Sequence, residues 1–152
     1  MWRMAREDED AVIVAMGLAL TVEDPWPEPV TPQQIQYTLE VLRAEPHRGR
    51  AVVCDEGGEV IGYALLIAFW SNEFGGEVCV VDELYIAPSR RGRGLASALF
   101  TALRSGDPPW PGPAVAIGLE VTPRNARALA LYQRLGFAGD NRMLHLRTAR
   151  RA

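Results

Sequence analysis

One stretch narrows the folds open to this chain more than any other: Val81-Asp-Glu-Leu-Tyr-Ile-Ala-Pro-Ser-Arg-Arg-Gly-Arg-Gly-Leu-Ala96. Val81 to Ile86 is rich in β-branched and aromatic side chains and reads as a strand. Pro88 and Ser89 stop it. Gly92 and Gly94 let the backbone approach a ligand closely, and Leu95 to Leu103 continues as a helix. The free N–H groups of a helix start point outward, and the helix dipole favours negative charge there. Arg90, Arg91 and Arg93 crowd the same turn. These features predict a phosphate-bearing cofactor held where the strand meets the helix.

The flanking sequence builds a sheet around this strand. Arg3 to Arg6 reads as a short first strand, Asp8 as an N-cap, and Ala11 to Leu20 as a helix with Ala11, Val14, Ala15 and Leu18 on one stripe. Thr31, Pro32 and Gln34 open a second helix with a capping box, which fails near Pro46. Arg50 to Cys54 and Glu59 to Trp70 read as a hairpin around the glycine turn at 55–58. The short turn at 71–76 makes Glu77 to Ile86 antiparallel to its predecessor. A proline-rich loop at 107–113 follows the helix and leads to a strand over Ala114 to Val121. Because a helix intervenes, that strand should run parallel to Val81 to Ile86. Asn125 caps a last helix, Ala126 to Leu135, which Gly136 ends. A final strand pair is expected from Phe137, turning near Gly139 to Asn141 and returning through Met143, Leu144 and Leu146. With 152 residues and no long linker, a single domain over 1–152 is expected.

Composition excludes several function classes. The net charge of −3 argues against general nucleic-acid binding. All 16 basic residues are arginine, so lysine Schiff-base chemistry and a Walker-type lysine clamp are ruled out. His47 and His145 lack a partnered nucleophile motif, and Cys54 and Cys79 lack metal-ligand spacing, so no metal is expected. No apolar run approaches a membrane span, and the first ten residues lack a signal peptide's apolar core. The expectation is a cytoplasmic protein with neither a membrane nor a nucleic-acid partner; a homodimer stays open.

Two motifs resemble the GNAT superfamily of N-acetyltransferases. The first is Arg91-x-x-Gly94-x-Ala96 behind Leu84-Tyr-Ile-Ala-Pro88, similar to the family's acyl-coenzyme A signature. The second is Asn125-x-x-Ala128-x-x-x-Tyr132 followed by Leu135-Gly-Phe137. The resemblance implies an α+β fold in three-layer style. It has a mixed, mostly antiparallel twisted sheet of about six to seven strands, a central parallel pair, and helices on both faces. It implies acetyl-CoA as co-substrate, its pyrophosphate on the backbone of Arg91, Gly92, Arg93, Gly94, Leu95 and Ala96, its pantetheine arm along Leu84, Tyr85 and Ile86, and Asn125 as a cap or cofactor contact. A bulge in the Val81 to Ile86 strand would splay it from its parallel neighbour. Tyr132 would be the general acid.

The implied reaction is direct attack of an amine on the thioester, with a base to take the amine proton. Glu83 and Asp82 are the candidates, and as neighbours in a strand they should face opposite ways. A bulge shifts the parity, so the pair stays open, with Glu83 favoured for its reach. Glu23, Asp24, Glu28, Glu73, Glu77, Asp82 and Glu83 are expected to gather at one acidic mouth, with Trp26, Phe69 and Trp70 as walls. Among these, Trp26, Trp70 and Glu73 are the candidate acceptor contacts. The acceptor expected is a small cationic amine. The competing readings are a protein or peptide N-acetyltransferase and a coenzyme A-binding module without catalysis.

Overall fold

The structure, a computed structural model, describes residues 1–139 and 144–148. The chain divides into two compact units, Met1–Thr122 and Pro123–Ala152. The first contains β1 (Trp2–Met4), α1 (Asp10–Glu23), α2 (Pro32–Ala44), β2 (Gly49–Glu56), β3 (Glu59–Ser71), β4 (Gly76–Ile86), α3 (Leu95–Ser105) and β5 (Ala116–Leu119). The second contains α4 (Ala126–Arg134).

Among the described residues the strands form one five-stranded sheet in the order β1-β2-β3-β4-β5. The first three pairings are antiparallel and β4–β5 is parallel, as a strand–helix–strand crossover requires. The mixed sheet with its parallel pair is the α+β architecture expected. The strand count is five rather than six to seven. Residues 137–139 and 144–148 are not in strands, and the expected turn around Asp140 to Met143 lies outside the described residues.

Register sorts the side chains between two faces, because residues opposite each other in a ladder point the same way. Val53, Tyr63, Leu65 and Tyr85 bury against Ile13 and Met16 of α1 and Leu39 and Leu42 of α2. The alternate positions Val52, Cys54 and Leu66 are fully buried on the opposite face. Trp2, paired with Cys54, shares that face, and its indole N–H donates to the Leu95 carbonyl at the start of α3 (2.8 Å). Helices therefore cover both faces, α1 and α2 on one and α3 on the other.

Local signals placed most boundaries. Thr31 Oγ1 accepts from the Gln34 N–H at 3.1 Å, and Gln34 Oε1 accepts from the Thr31 N–H at 2.8 Å, the capping box that opens α2. Gly106, at φ 70°, closes α3. Two ends differ from expectation. Asp8 lies within a 3₁₀ turn, Glu7–Glu9, and the carboxylate that accepts a backbone N–H there is Glu9, from Arg6 at 2.8 Å. The first helix also runs on to Glu23, past Leu20, and its last residue is held by a distant arginine described below.

Glu9 is also the centre of a tether. The Arg3 guanidinium donates to Glu9 (2.6 Å) and to Asp55 (2.7 Å), tying β1 to α1 and β2. Hydrogen bonds from Arg3 hold the Glu9 carboxyl below its ordinary range. Glu9→Gln should therefore lower stability by about 1–3 kcal/mol at neutral pH. A carboxylate with a depressed folded pKa adds stability above its unfolded pKa and loses it as pH falls through the folded one. Denaturant melts should thus show the gap between wild type and variant closing in acid. Gly49 offers a second check. Its φ is 146°, and a Cβ there would lie 2.0 Å from the Leu66 carbonyl oxygen. Gly49→Ala should cost about 1–3 kcal/mol or more, read as a lower midpoint in thermal unfolding.

Candidate active site

The site begins with an irregularity in β4. Leu65 pairs with Glu83 and Leu66 with Val81, so Asp82 is an extra residue, a β-bulge. The β4–β5 ladder runs from Val78↔Ala116 to Val81↔Leu119 and ends at the bulge. Beyond it, β4 is laddered to β3 alone among the described residues. The Ala87 N–H donates to the Ile61 carbonyl (2.9 Å), which fixes the alternation along the strand. The backbone groups of Leu84 and Ile86 therefore face the open edge, and those of Glu83 and Tyr85 face β3. An open edge of this kind can pair with an extended ligand in place of a strand.

β4 then runs into the turn. Residues Pro88–Arg90 form a 3₁₀ turn, and Gly92 and Gly94 take φ of 76° and 75°, which other residues rarely adopt. Nothing lies within 4 Å of where a Cβ would project from either glycine. Gly94 is the N-cap of α3 and brings no side-chain cap, so the first N–H groups of α3 have no acceptor from it. An uncapped helix start behind an open glycine turn suits a phosphate group.

The arginines of the turn already have partners. Arg90 binds Glu56 and Glu59, the latter at 3.0 Å, and Arg93 binds Glu56 at 2.6 Å. Such exposed pairs are weak and exchange easily for another anion. Arg91 is held more fully. Its Nε donates to the Ile86 carbonyl (2.8 Å), its Nη2 donates to both carboxylate oxygens of Glu23 (2.9 and 2.8 Å), and its guanidinium lies 5.3 Å from the Tyr85 ring centroid. The backbone N–H groups of residues 92–96 are thus the open part of the turn, the Arg91 N–H donates to the Pro88 carbonyl (3.4 Å), and the Arg91 side chain is turned back onto α1.

The bulge separates the two candidate bases. Glu83 is half-buried on the face covered by α1 and α2, where its Oε2 accepts a hydrogen bond from the Tyr63 hydroxyl at 3.2 Å. Burial pushes its carboxyl above the usual carboxylate range, the Asp82 charge adds to this, and the Tyr63 bond opposes it. Asp82 is exposed at the bulge itself. Loss of hydration and the charge of Glu120 push it up as well, but the exposed surface leaves water to screen that effect. Glu83 is the carboxyl with a fixed partner and a shielded setting.

The expected acidic mouth is not assembled as drawn. Glu23 is engaged at the glycine turn, beyond the C-terminal end of β4, whereas Glu73 lies in the β3–β4 turn at the other end and accepts from Ser71 Oγ at 3.4 Å. Asp24 accepts from the Thr122 hydroxyl at 2.9 Å. Trp26 and Trp70 are exposed, with 47% and 72% of their surface free. Trp70 pairs with Glu77, so it too sits toward the end of β4 away from the turn. Sequence reasoning missed Tyr63 and Glu120. Tyr63 did leave a trace, as a lone phenol in the otherwise apolar run from Ile61 to Trp70.

In the second unit, Asn125 Oδ1 accepts the Ala128 N–H at 3.2 Å and caps α4. The Tyr132 ring meets Phe137 edge-on, centroids 5.8 Å apart. The Phe137 N–H donates to the Tyr132 carbonyl at 3.0 Å.

Known proteins match this architecture. A family model for the acetyltransferase (GNAT) family matches residues 15–137. An uncharacterized N-acetyltransferase of Bacillus subtilis (strain 168), YhfO, is 25% identical over 103 residues, 68% of each chain. The crystal structure of a possible acetyltransferase from Clostridium difficile 630 aligns with a TM-score of 0.81 at 18% identity, covering 99% of this chain and 98% of that one. The aminoglycoside N-acetyltransferase AAC(6')-Iy in complex with CoA aligns with a TM-score of 0.71 at 19% identity, covering 97% and 93%. At such identities the structural likeness speaks for the fold, and the family model for the lineage. The chain belongs to the GNAT family of acetyltransferases and is an N-acetyltransferase.

Proposed function

We propose that this enzyme moves an acetyl group from acetyl-CoA to the primary amine of a small cationic acceptor, by direct attack with both molecules bound. The observation that carries this reading is the half-buried Glu83 carboxylate beside the bulge where β4 parts from β5, on the strand that feeds the glycine turn. The residues fit the co-substrate. The open N–H groups of residues 92–96 suit its pyrophosphate, and the outward backbone of Leu84 with the Ile86 N–H suits its amide-bearing arm, the Ile86 carbonyl being held by Arg91.

Acetyl-CoA supplies the acetyl group as a thioester. A C–N bond forms as the C–S bond breaks, and two protons must be managed. An aliphatic amine has a pKa of about 10.4 and arrives mostly as a cation. Glu83 accepts its proton, directly or through one water, and its raised pKa brings it nearer the amine's own value. Asp82, Glu83 and Glu120 give this end of the sheet a negative field that draws a cation in. Tyr132, matching the family's motif, is proposed to protonate the departing thiolate, and Asn125 to set the start of its helix.

The first test is a panel of acceptors with acetyl-CoA: polyamines, aminoglycosides, and peptides carrying a free N-terminus or a lysine. Turnover is expected on the small cations, and turnover confined to the peptides would sink the acceptor assignment. Glu83→Gln should lower kcat/KM by about 10²–10⁴-fold while leaving acetyl-CoA affinity within about twofold. Tyr132→Phe should slow thiol release, and an unchanged rate would remove it from the mechanism. Gly94→Val should raise the acetyl-CoA dissociation constant by about tenfold or more in calorimetry, since a β-branched residue resists φ near +75° and would pull the turn out of shape.

A further inference from the structure

We infer that Tyr63 is a positioning residue of this site: its phenol, fixed in the core between α1 and the sheet, sets the orientation of the Glu83 carboxylate beside the β4 bulge. The inference rests on Glu83 being the base. Tyr63 has no exposed surface, so its hydroxyl needs a partner within the protein, and Glu83 Oε2 at 3.2 Å is that partner. The ring is held on several sides. Tyr85 stands 6.4 Å away, centroid to centroid, and Ile13, Met16, Leu39 and Leu42 share its cluster. Gly17 of α1 leaves the space the hydroxyl occupies; a Cβ there would come within 3.3 Å of the Tyr63 oxygen and 2.9 Å of Ile35 Cδ1. A half-buried carboxylate tethered to a rigid phenol keeps one rotamer, and its second oxygen stays available for a proton.

Few other charges compete at Glu83. On its own strand the neighbours are Asp82, which repels, and Tyr85. Glu120, just past β5, acts on Asp82. On the helices of this face, Asp10 is bound to Arg43, Glu23 to Arg91, and Glu40 accepts from Gln36. Tyr63 is therefore the main group favouring the ionised form of Glu83.

The test is Tyr63→Phe, which keeps the ring and removes one oxygen. Carbon-13 NMR of labelled glutamate carboxyls, with Glu83→Gln to assign the signal, follows the ionisation of residue 83 with no acceptor present. Its midpoint should rise by about one pH unit, the scale of one hydrogen bond to a charge. Because a base must be ionised to act, the lower break in the pH profile of kcat/KM should move up by the same amount, with spermidine as acceptor and a lysine peptide as the second probe. Acetyl-CoA affinity should stay within about twofold. An unmoved midpoint overturns the inference, and so does a midpoint that moves while the kinetic break does not. A Glu83→Gln enzyme with wild-type turnover overturns the base assignment itself. A dead Glu83→Gln enzyme beside an unmoved Tyr63→Phe break overturns the positioning role alone.

Discussion

The extra residue in β4 is the constraint on which the rest of the site depends. A ladder has period two, so inserting Asp82 exchanges the faces of everything that follows it. It places Glu83 opposite Leu65, against the α1–α2 face where Tyr63 can reach it. It also coincides with the last pairing to β5, Val81 with Leu119. The same backbone irregularity thus presents a carboxylate to one face and frees a strand edge beside it. An edge in a sheet is ordinarily a liability. Here it leads directly into the glycine turn, so the edge and the turn are consecutive along the backbone, the arrangement on which the proposed co-substrate site rests.

The electrostatics follow a division of labour between exposed and sheltered pairs. Arg90 and Arg93 meet Glu56 and Glu59 at the surface, where water weakens the attraction and lets partners change. Arg91 is more sheltered and bound by three kinds of contact: a carbonyl, a carboxylate and an aromatic face. It secures Glu23, the last residue of α1, to the start of the turn. The positive charge of the turn is therefore partly committed to holding the fold, and the backbone N–H groups remain as its most open donors.

Much of this was legible from the residues. Thr31, Gly106 and Asn125 act at helix ends through atoms within a few residues of themselves, and each was placed correctly. The antiparallel hairpins followed from short glycine turns, and the parallel pair from the intervening helix. Asp8 misled because Glu9, one residue later, is held in place by Arg3, whose own position depends on β1 pairing with β2. The expected acidic mouth misled for a similar reason. Glu23 looks like a free loop acid in the sequence, and only the packing of α1 beside the turn delivers it to Arg91.

The sequence by itself determined the order of the elements as far as α4, the glycine turn with its uncapped helix start, and the pair of carboxylates from which a base would come. Each of these is a local property, set by dihedral preferences and side-chain periodicity over a few residues. Only the tertiary structure left Asp82 exposed and Glu83 half-buried, turned the arginine side chains toward their carboxylates, and brought the Tyr63 hydroxyl to Glu83. Those outcomes depend on strand register and on residues far apart in the chain. Register is a collective property of the whole ladder, in which a shift of one residue reverses every face.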